Sequence, residues 1–233
     1  MGDAKRKRKA PCRCGSGKPA GICCLGENGW HKRPEVISLR ATGETGAHAG
    51  CYLRDTGACC PKISSEHLLS EGVLKVLAES QVEISGTPWQ KGQKKVLGFA
   101  ALTSNILCRA HNSALSPLDT AGARFFSAIQ SCGTTVEGLS LNFLVSGHDI
   151  ERWLLRTVAA LAVSKNFAID GAQLDNGIIN RLRLSEFLEN PAAWKPPLGM
   201  YYMQGVGYRF WQKAARSRQA SPSNANRFAT KNP

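Results

Sequence analysis

The nine cysteines fall into tight groups, and that grouping limits what this chain can fold into more than any other feature. Cys12 and Cys14 are one residue apart, and Cys23 and Cys24 are adjacent soon after them. Further along come Cys51, the adjacent pair Cys59 and Cys60, and Cys108 at C-x-x-H spacing from His111. C-x-C, C-C and C-x-x-H spacings favour metal binding over a disulfide scaffold. Cys12, Cys14, Cys23 and Cys24 match the ligand count of a closed tetrahedral zinc site. Gly15 and Gly17 let so short a loop turn back on itself without steric cost. Such a segment has almost no core, so bound zinc is expected to supply most of its folding energy. Cys51 and one of the pair Cys59–Cys60 can complete a second four-ligand zinc site with Cys108 and His111.

At 233 residues and 42% hydrophobic content the chain can bury a sizeable core. Its best membrane candidate, TVAALAV at 157–163, falls well short of the roughly 18 apolar residues of a span. The basic leader has no apolar stretch behind it, so a secretory signal is not expected and the protein is read as cytoplasmic, with no membrane partner. The net charge of +13 lies at the two ends. Residues 1–18 carry seven Lys/Arg against one Asp, and residues 209–233 carry six Lys/Arg and no acid. Such ends raise affinity for a polyanion and speed encounter, without reading sequence.

Six segments are expected: a disordered basic leader (1–10), a zinc motif (11–26), a linker (27–48), a central domain (49–130), a C-terminal extension (131–212) and a disordered basic tail (213–233). The linker offers at most a short strand at 36–40. In the central domain ISSEHLL reads as a strand end, 70–80 as a helix, QVEIS at 81–85 as a strand and KVLGFAAL at 95–102 as a second apolar run. Lys91, Lys94 and Lys95 read as a solvated turn. Ser116 followed by Pro117 predicts a helix start, running to about Ser131 with Ala121, Phe125, Ala128 and Ile129 buried. Residues 140–147 read as a strand. Residues 149–164 read as an amphipathic helix burying Ile150, Trp153, Leu154, Thr157, Leu161 and Ala162. Shorter helices are expected at 176–183 and 185–190. Cys132, Trp153 and Trp194 are expected in the core.

The string C-x-C-G-S-G-K followed by CC resembles the SEC-C motif, a zinc module found at the C-terminus of the preprotein translocase ATPase. There it contacts other proteins, so the resemblance implies an accessory docking role. The GSGK within it is no phosphate-binding P-loop: the earlier glycine is missing and Pro19 stands where Ser or Thr would hold magnesium.

Glu66–His67, followed later by Cys108, His111 and Asn112, resembles the HNH (ββα-metal) nuclease family over residues 51–126. The resemblance implies an α+β fold: a zinc-stabilised ββα core with an N-terminal zinc knuckle and a helix-rich C-terminal extension. It implies DNA phosphodiester hydrolysis with His67 as general base, and Glu66 and Asn112 holding a divalent cation, magnesium or manganese. It also implies the zinc set Cys51, Cys59, Cys108 and His111. This chain departs from the family at Thr103, which takes the place of the central Asn, with Asn105 displaced by two. On an extended backbone Glu66 and His67 point opposite ways, so both reach one site only if the strand turns there. The alternative is a non-catalytic, zinc-stabilised nucleic-acid- or protein-binding module.

Overall fold

A computed structural model describes residues 7–41, 43–85, 93–134, 143–169, 172–173, 179 and 182–195. All of them belong to one unit spanning residues 1–197. Residues 1–6 of the expected disordered leader lie outside the described residues, and 7–9 form a turn of helix. The Arg8 guanidinium donates to the Gly21 carbonyl at 3.3 Å, which ties this turn to the cysteine motif. A bridge between Pro11 and Pro19, helix α1 (Ala20–Cys23) and the antiparallel pair β1 (Leu25–Gly26) and β2 (Gly29–Trp30) complete that motif. Gly15 and Gly17 adopt φ of 72° and 73°, the left-handed turn an L side chain resists.

Residues 27–48 are not a free linker. Ile37 and Leu39 are buried in the main core while Val36, Ser38 and Arg40 are exposed, an alternation typical of a strand. No strand forms, because the backbone donors go to side chains instead. Leu39 N–H donates to Glu189 Oε1 at 2.6 Å, and Glu35 N–H donates to Asp149 Oδ1 at 2.9 Å.

Strand β3 (Ile63–His67) leads into helix α2 (Glu71–Leu77) and the antiparallel hairpin β4 (Gln81–Ile84) and β5 (Lys95–Gly98). Within that hairpin Lys94 is exposed and pairs with Glu83 at 2.6 Å, and Lys91 lies outside the described residues. Strand β6 (Thr103–Cys108) then returns to pair antiparallel with β3, and helix α3 (Arg109–Thr134) follows without a break. The inserted helix and hairpin account for the long gap between His67 and Cys108. In the β3–β6 register Ser64 faces Leu107 and Glu66 faces Ser104, so β6 carries one extra residue opposite Ser65. That bulge bends the pair at its Glu66–His67 end.

Helix α3 starts at Arg109, seven residues before the predicted Ser116 start, and Pro117 lies inside it. Proline removes one donor from the helical ladder, and the carbonyl it would have served belongs to exposed Ser113, where water can replace it. The buried stripe of α3 is His111, Leu115, Leu118 and Gly122. Ala128 is buried as expected, whereas Ile129 is 51% exposed and Cys132 is exposed.

Of the predicted strand at 140–147, residues 140–142 lie outside the described residues; 143–146 are irregular, and helix α4 (Gly147–Val163) begins after them, capped by Ser146 Oγ accepting from Asp149 N–H at 3.3 Å. It packs on α3 through Trp153, whose ring stacks edge-on with Phe126 at 5.6 Å between centroids. A Cβ at Gly122 would come within 2.6 Å of that indole, so only glycine allows this crossing. Two short strands, β7 (Ala168–Ile169) and β8 (Ala172–Gln173), helix α5 (Leu184–Glu189) and a 3-10 turn (Pro191–Ala193) follow. The predicted helix at 176–183 falls largely outside the described residues, and 213–233 wholly so. Trp194 is half-buried against Phe187, short of a core position.

The fold is mixed α and β, with two-stranded antiparallel sheets and helices around one principal core. That core joins Leu39, Leu53, Val73, Leu107, Leu115, Leu118, Trp153 and Leu188, so the linker, the central domain and the extension share it. Among the described residues no helix is long and apolar enough to cross a membrane.

Candidate metal centres and the adjoining acid–base cavity

Two groups of four side chains converge on points a metal ion can occupy: Cys12, Cys14, Cys23 and Cys24, and Cys51, Cys59, Cys108 and His111. Within each, all ligand atoms lie within 4.8 Å of one another. Zn–S bonds of about 2.3 Å and Zn–N bonds of about 2.0–2.1 Å at tetrahedral angles require separations of about 3.8 Å between sulfurs and about 3.5 Å from sulfur to nitrogen. In the first group Cys14 and Cys23 Sγ are 3.5 Å apart, and Cys23 and Cys24 Sγ 3.6 Å. Burial works against the Cys14 thiolate, but hydrogen bonds with Ser16 and the neighbouring thiols outweigh it and lower that thiol to about 6. Burial raises Cys24, and its neighbours add to the effect. Four thiols in one spot share charge badly until a cation joins them.

In the second group His111 Nδ1 lies 3.4 Å from Cys51 Sγ, 3.7 Å from Cys59 Sγ and 3.2 Å from Cys108 Sγ, bracketing the zinc value. The opposite nitrogen settles the tautomer. Nε2 faces the Leu39 carbonyl at 3.1 Å and Thr56 Oγ1 at 2.9 Å, and Thr56 already donates its own hydrogen to Leu53 O. Both neighbours of Nε2 are therefore acceptors, Nε2 carries the proton, and Nδ1 is left as a ligand. Burial lowers the His111 pKa, keeping the ring neutral as a metal ligand must be. Burial and the charges of Cys108 and Cys59 push Cys51 up to about 12, against the opposing pull of backbone hydrogen bonds.

The adjacent thiols part company here. Cys59 joins the set, while Cys60 Sγ donates to Lys62 O at 3.4 Å and accepts from Ala110 N–H at 3.3 Å. Cys108 reaches the set from the last position of β6, and His111 from the first turn of α3. Both donor sets fit zinc in number, chemistry and spacing.

Beside this second group lies a cavity of about 400 Å³. Its walls include Glu66 and His67 from the end of β3, Asn112 from the first turn of α3, Ser70, Asp119 and Arg156. The bend opposite Ser65 turns the strand end, so consecutive residues Glu66 and His67 face one space. His67 is half-buried, and Glu66 is only 2% exposed. The Asn112 amide nitrogen donates to Ser64 Oγ at 3.2 Å, which leaves its oxygen as the group it can offer a cation. Asn105 is exposed on β6, and Thr103 lines a different, largely apolar groove of about 610 Å³ beside α2 and β4. The lining of that larger groove includes Glu83 but no histidine, so the Glu66–His67 pair opens only onto the smaller cavity among those two.

The sequence reading missed Arg156 and Asp119. Arg156, 1% exposed on α4, binds Glu66 through Nη2 and Asp119 Oδ1 through Nη1 at 2.9 Å. Ser70 Oγ donates to Asp119 Oδ1, accepts from Trp153 Nε1 at 2.8 Å and faces Arg156 Nη1 at 3.4 Å. Burial raises the Asp119 carboxyl to about 6 and lowers the Arg156 pKa. One signal was present: Arg156 stands three residues after Trp153, on the stripe that α4 buries, and an arginine there needs a partner. No family model, no curated protein and no solved structure matches this chain.

Proposed function

We propose that this chain is a metal-dependent endonuclease of the HNH (ββα-metal) kind that hydrolyses DNA phosphodiester bonds. One observation carries the reading: the adjacent pair Glu66–His67 and Asn112, distant from them in sequence, line a single cavity at a strand–strand–helix junction braced by a Cys₃His set. The order of parts agrees with it, since β3 ends on the Glu–His pair, β6 ends on Cys108, and α3 opens with His111 and Asn112.

In this reading two structural zinc ions sit in the Cys₄ and Cys₃His sets, and their role is to fold the knuckle and anchor the β6–α3 corner. His67 takes the proton from the attacking water as general base. Glu66 and Asn112 offer oxygens to one divalent cation, magnesium or manganese, which supplies stabilisation of negative charge on the phosphate and the departing oxygen. The basic residues 7–9, exposed beside the zinc knuckle, add sequence-independent attraction for the DNA backbone. The SEC-C-like motif is assigned a protein-docking role. Clustered, unpaired thiols fit a reducing compartment, and we place the protein in the cytoplasm.

A second reading has its own observation. The Arg156 guanidinium engages the carboxylate that the cation needs, which suits a binding module that keeps the fold without the chemistry. Supercoiled plasmid incubated with the zinc-loaded protein and magnesium or manganese separates the two, with His67→Ala as control. Nicking by the parent and not by the control supports the nuclease. DNA binding without nicking under any divalent cation leaves the binding module.

A further inference from the structure

The Glu66–Arg156 pair raises a question of charge at the proposed cation seat. Glu66 is neutralised by a buried guanidinium, and Asn112 is neutral, so these two proposed ligands together present no net charge. A divalent cation dehydrates reluctantly and is held in such sites by carboxylates together with substrate phosphate. The missing negative charge is in the same cavity. Asp119 sits on the other arm of Arg156, and its side chain is 25% exposed where that of Glu66 is 3%. The hydroxyl of Ser70, itself fixed by the Trp153 indole, holds the Asp119 carboxylate in place. Arg156 also lines the cavity, so the network that joins the two carboxylates forms part of its wall.

We infer that Asp119 is a ligand of the cation site, forming with Glu66 a two-carboxylate seat, and that Arg156 is the positioning residue that sets both carboxylates on the cavity wall. This inference rests on the nuclease reading. It gives a consistent charge balance: two carboxylates and one guanidinium leave one negative charge, a divalent cation turns that to one positive charge, and a phosphodiester brings the site to neutrality. Without Asp119 the same site would hold an excess positive charge on the substrate complex and would attract no cation beforehand.

The test is manganese binding by the full, zinc-loaded chain, read by the electron paramagnetic resonance of free Mn²⁺, with zinc content and melting temperature measured on each variant. Asp119→Asn should weaken Mn²⁺ by at least about tenfold while two zinc ions are retained, as should Glu66→Gln. Ser70→Ala breaks the hydroxyl brace but keeps the carboxylate, and should hold Mn²⁺ within about threefold of the parent. Parent-like binding by Asp119→Asn, with binding lost in Glu66→Gln, overturns the role of Asp119 and leaves the nuclease reading standing. If Asp119→Asn fails to fold, Ser70→Ala decides: a folded Ser70→Ala protein that has lost Mn²⁺ would show that the network, and not the Asp119 carboxylate, governs affinity. A parent that binds no Mn²⁺ removes the nuclease reading and this inference with it.

Discussion

The Leu39 carbonyl lies 3.1 Å from His111 Nε2, and that contact decides which nitrogen of the ring is left for a metal. It also shows why the stretch from 27 to 48 is pinned. The same residue that buries its side chain in the core supplies the acceptor that orients the histidine. Packing of the segment and ligand geometry are thus one event.

His111→Ala should therefore cost more than a side chain. An apparent binding free energy of about 10–16 kcal/mol for a structural zinc is of the same size as the whole stability of a typical domain, about 5–15 kcal/mol. The variant should bind one zinc equivalent where the parent binds two, and should lose cooperative unfolding by circular dichroism. A folded variant with two zinc ions would remove His111 from the ligand set.

The neighbouring thiols should separate cleanly. Cys59→Ser removes a ligand and should drop the zinc content by one equivalent. Cys60→Ser exchanges one weak hydrogen-bonding group for another facing Lys62 O and Ala110 N–H, so two equivalents should remain. Elemental analysis of both proteins reads the result, and the reverse pattern would place Cys60 on the metal.

Much of the metal chemistry was legible in the sequence because ligand spacing is local: Cys12, Cys14, Cys23 and Cys24 need only a short loop to meet. Spacing alone left Cys59 and Cys60 open, and only the resemblance named Cys59, since the choice depends on how the chain enters β3. The helix start was misplaced because Ser116–Pro117 carries a strong local signal, yet β6 runs straight into α3 and the helix is already formed when it reaches the proline. Arg156 escaped notice for the opposite reason. Its meaning is entirely tertiary: on α4 alone it is one more basic residue, and only the fold brings it to Glu66 and Asp119.

Arg156 also anchors a prediction about stability. Removing one partner of a buried ion pair leaves the other uncompensated, at a cost of about 3–5 kcal/mol. Arg156→Met should show a loss of that size in chemical denaturation, and adding Glu66→Gln should recover part of it, because the stranded charge is then gone. Strictly additive losses in the double variant would mean that the two side chains do not meet.

Acid should weaken the second metal centre in a direction that His111 fixes. Its pKa is lowered by burial in the folded chain, so the unfolded chain binds the proton more readily. The stability this contributes is fully present above the ordinary histidine value of about 6.5 and is lost as the pH falls below it. Protons also compete directly with zinc for the imidazole. Melting temperature should thus fall from pH 7 to pH 5.5, and a His111→Cys variant, with no imidazole at that position, should fall less. Identical slopes would assign the acid sensitivity to other groups.

The most direct division between catalyst and scaffold falls on His67. It ends β3, is half-buried at the cavity wall beside Glu66, and forms no part of either metal set. Of the other histidines, His48 accepts from Gly50 N–H, His148 pairs with Glu151 on the first turn of α4, and His111 serves the second centre. His31 follows β2 in the zinc motif and is exposed. Only His67 has both access to the cavity and freedom from a structural task among the described residues. His67→Ala should leave two zinc ions and the melting temperature nearly unchanged while plasmid nicking falls by about 10²–10⁴, the usual cost of deleting a positioned base. Imidazole added in solution should restore part of the nicking in the alanine variant, since the cavity left behind can admit it. Retained nicking in His67→Ala, or a loss that tracks unfolding, would take the base assignment away from His67.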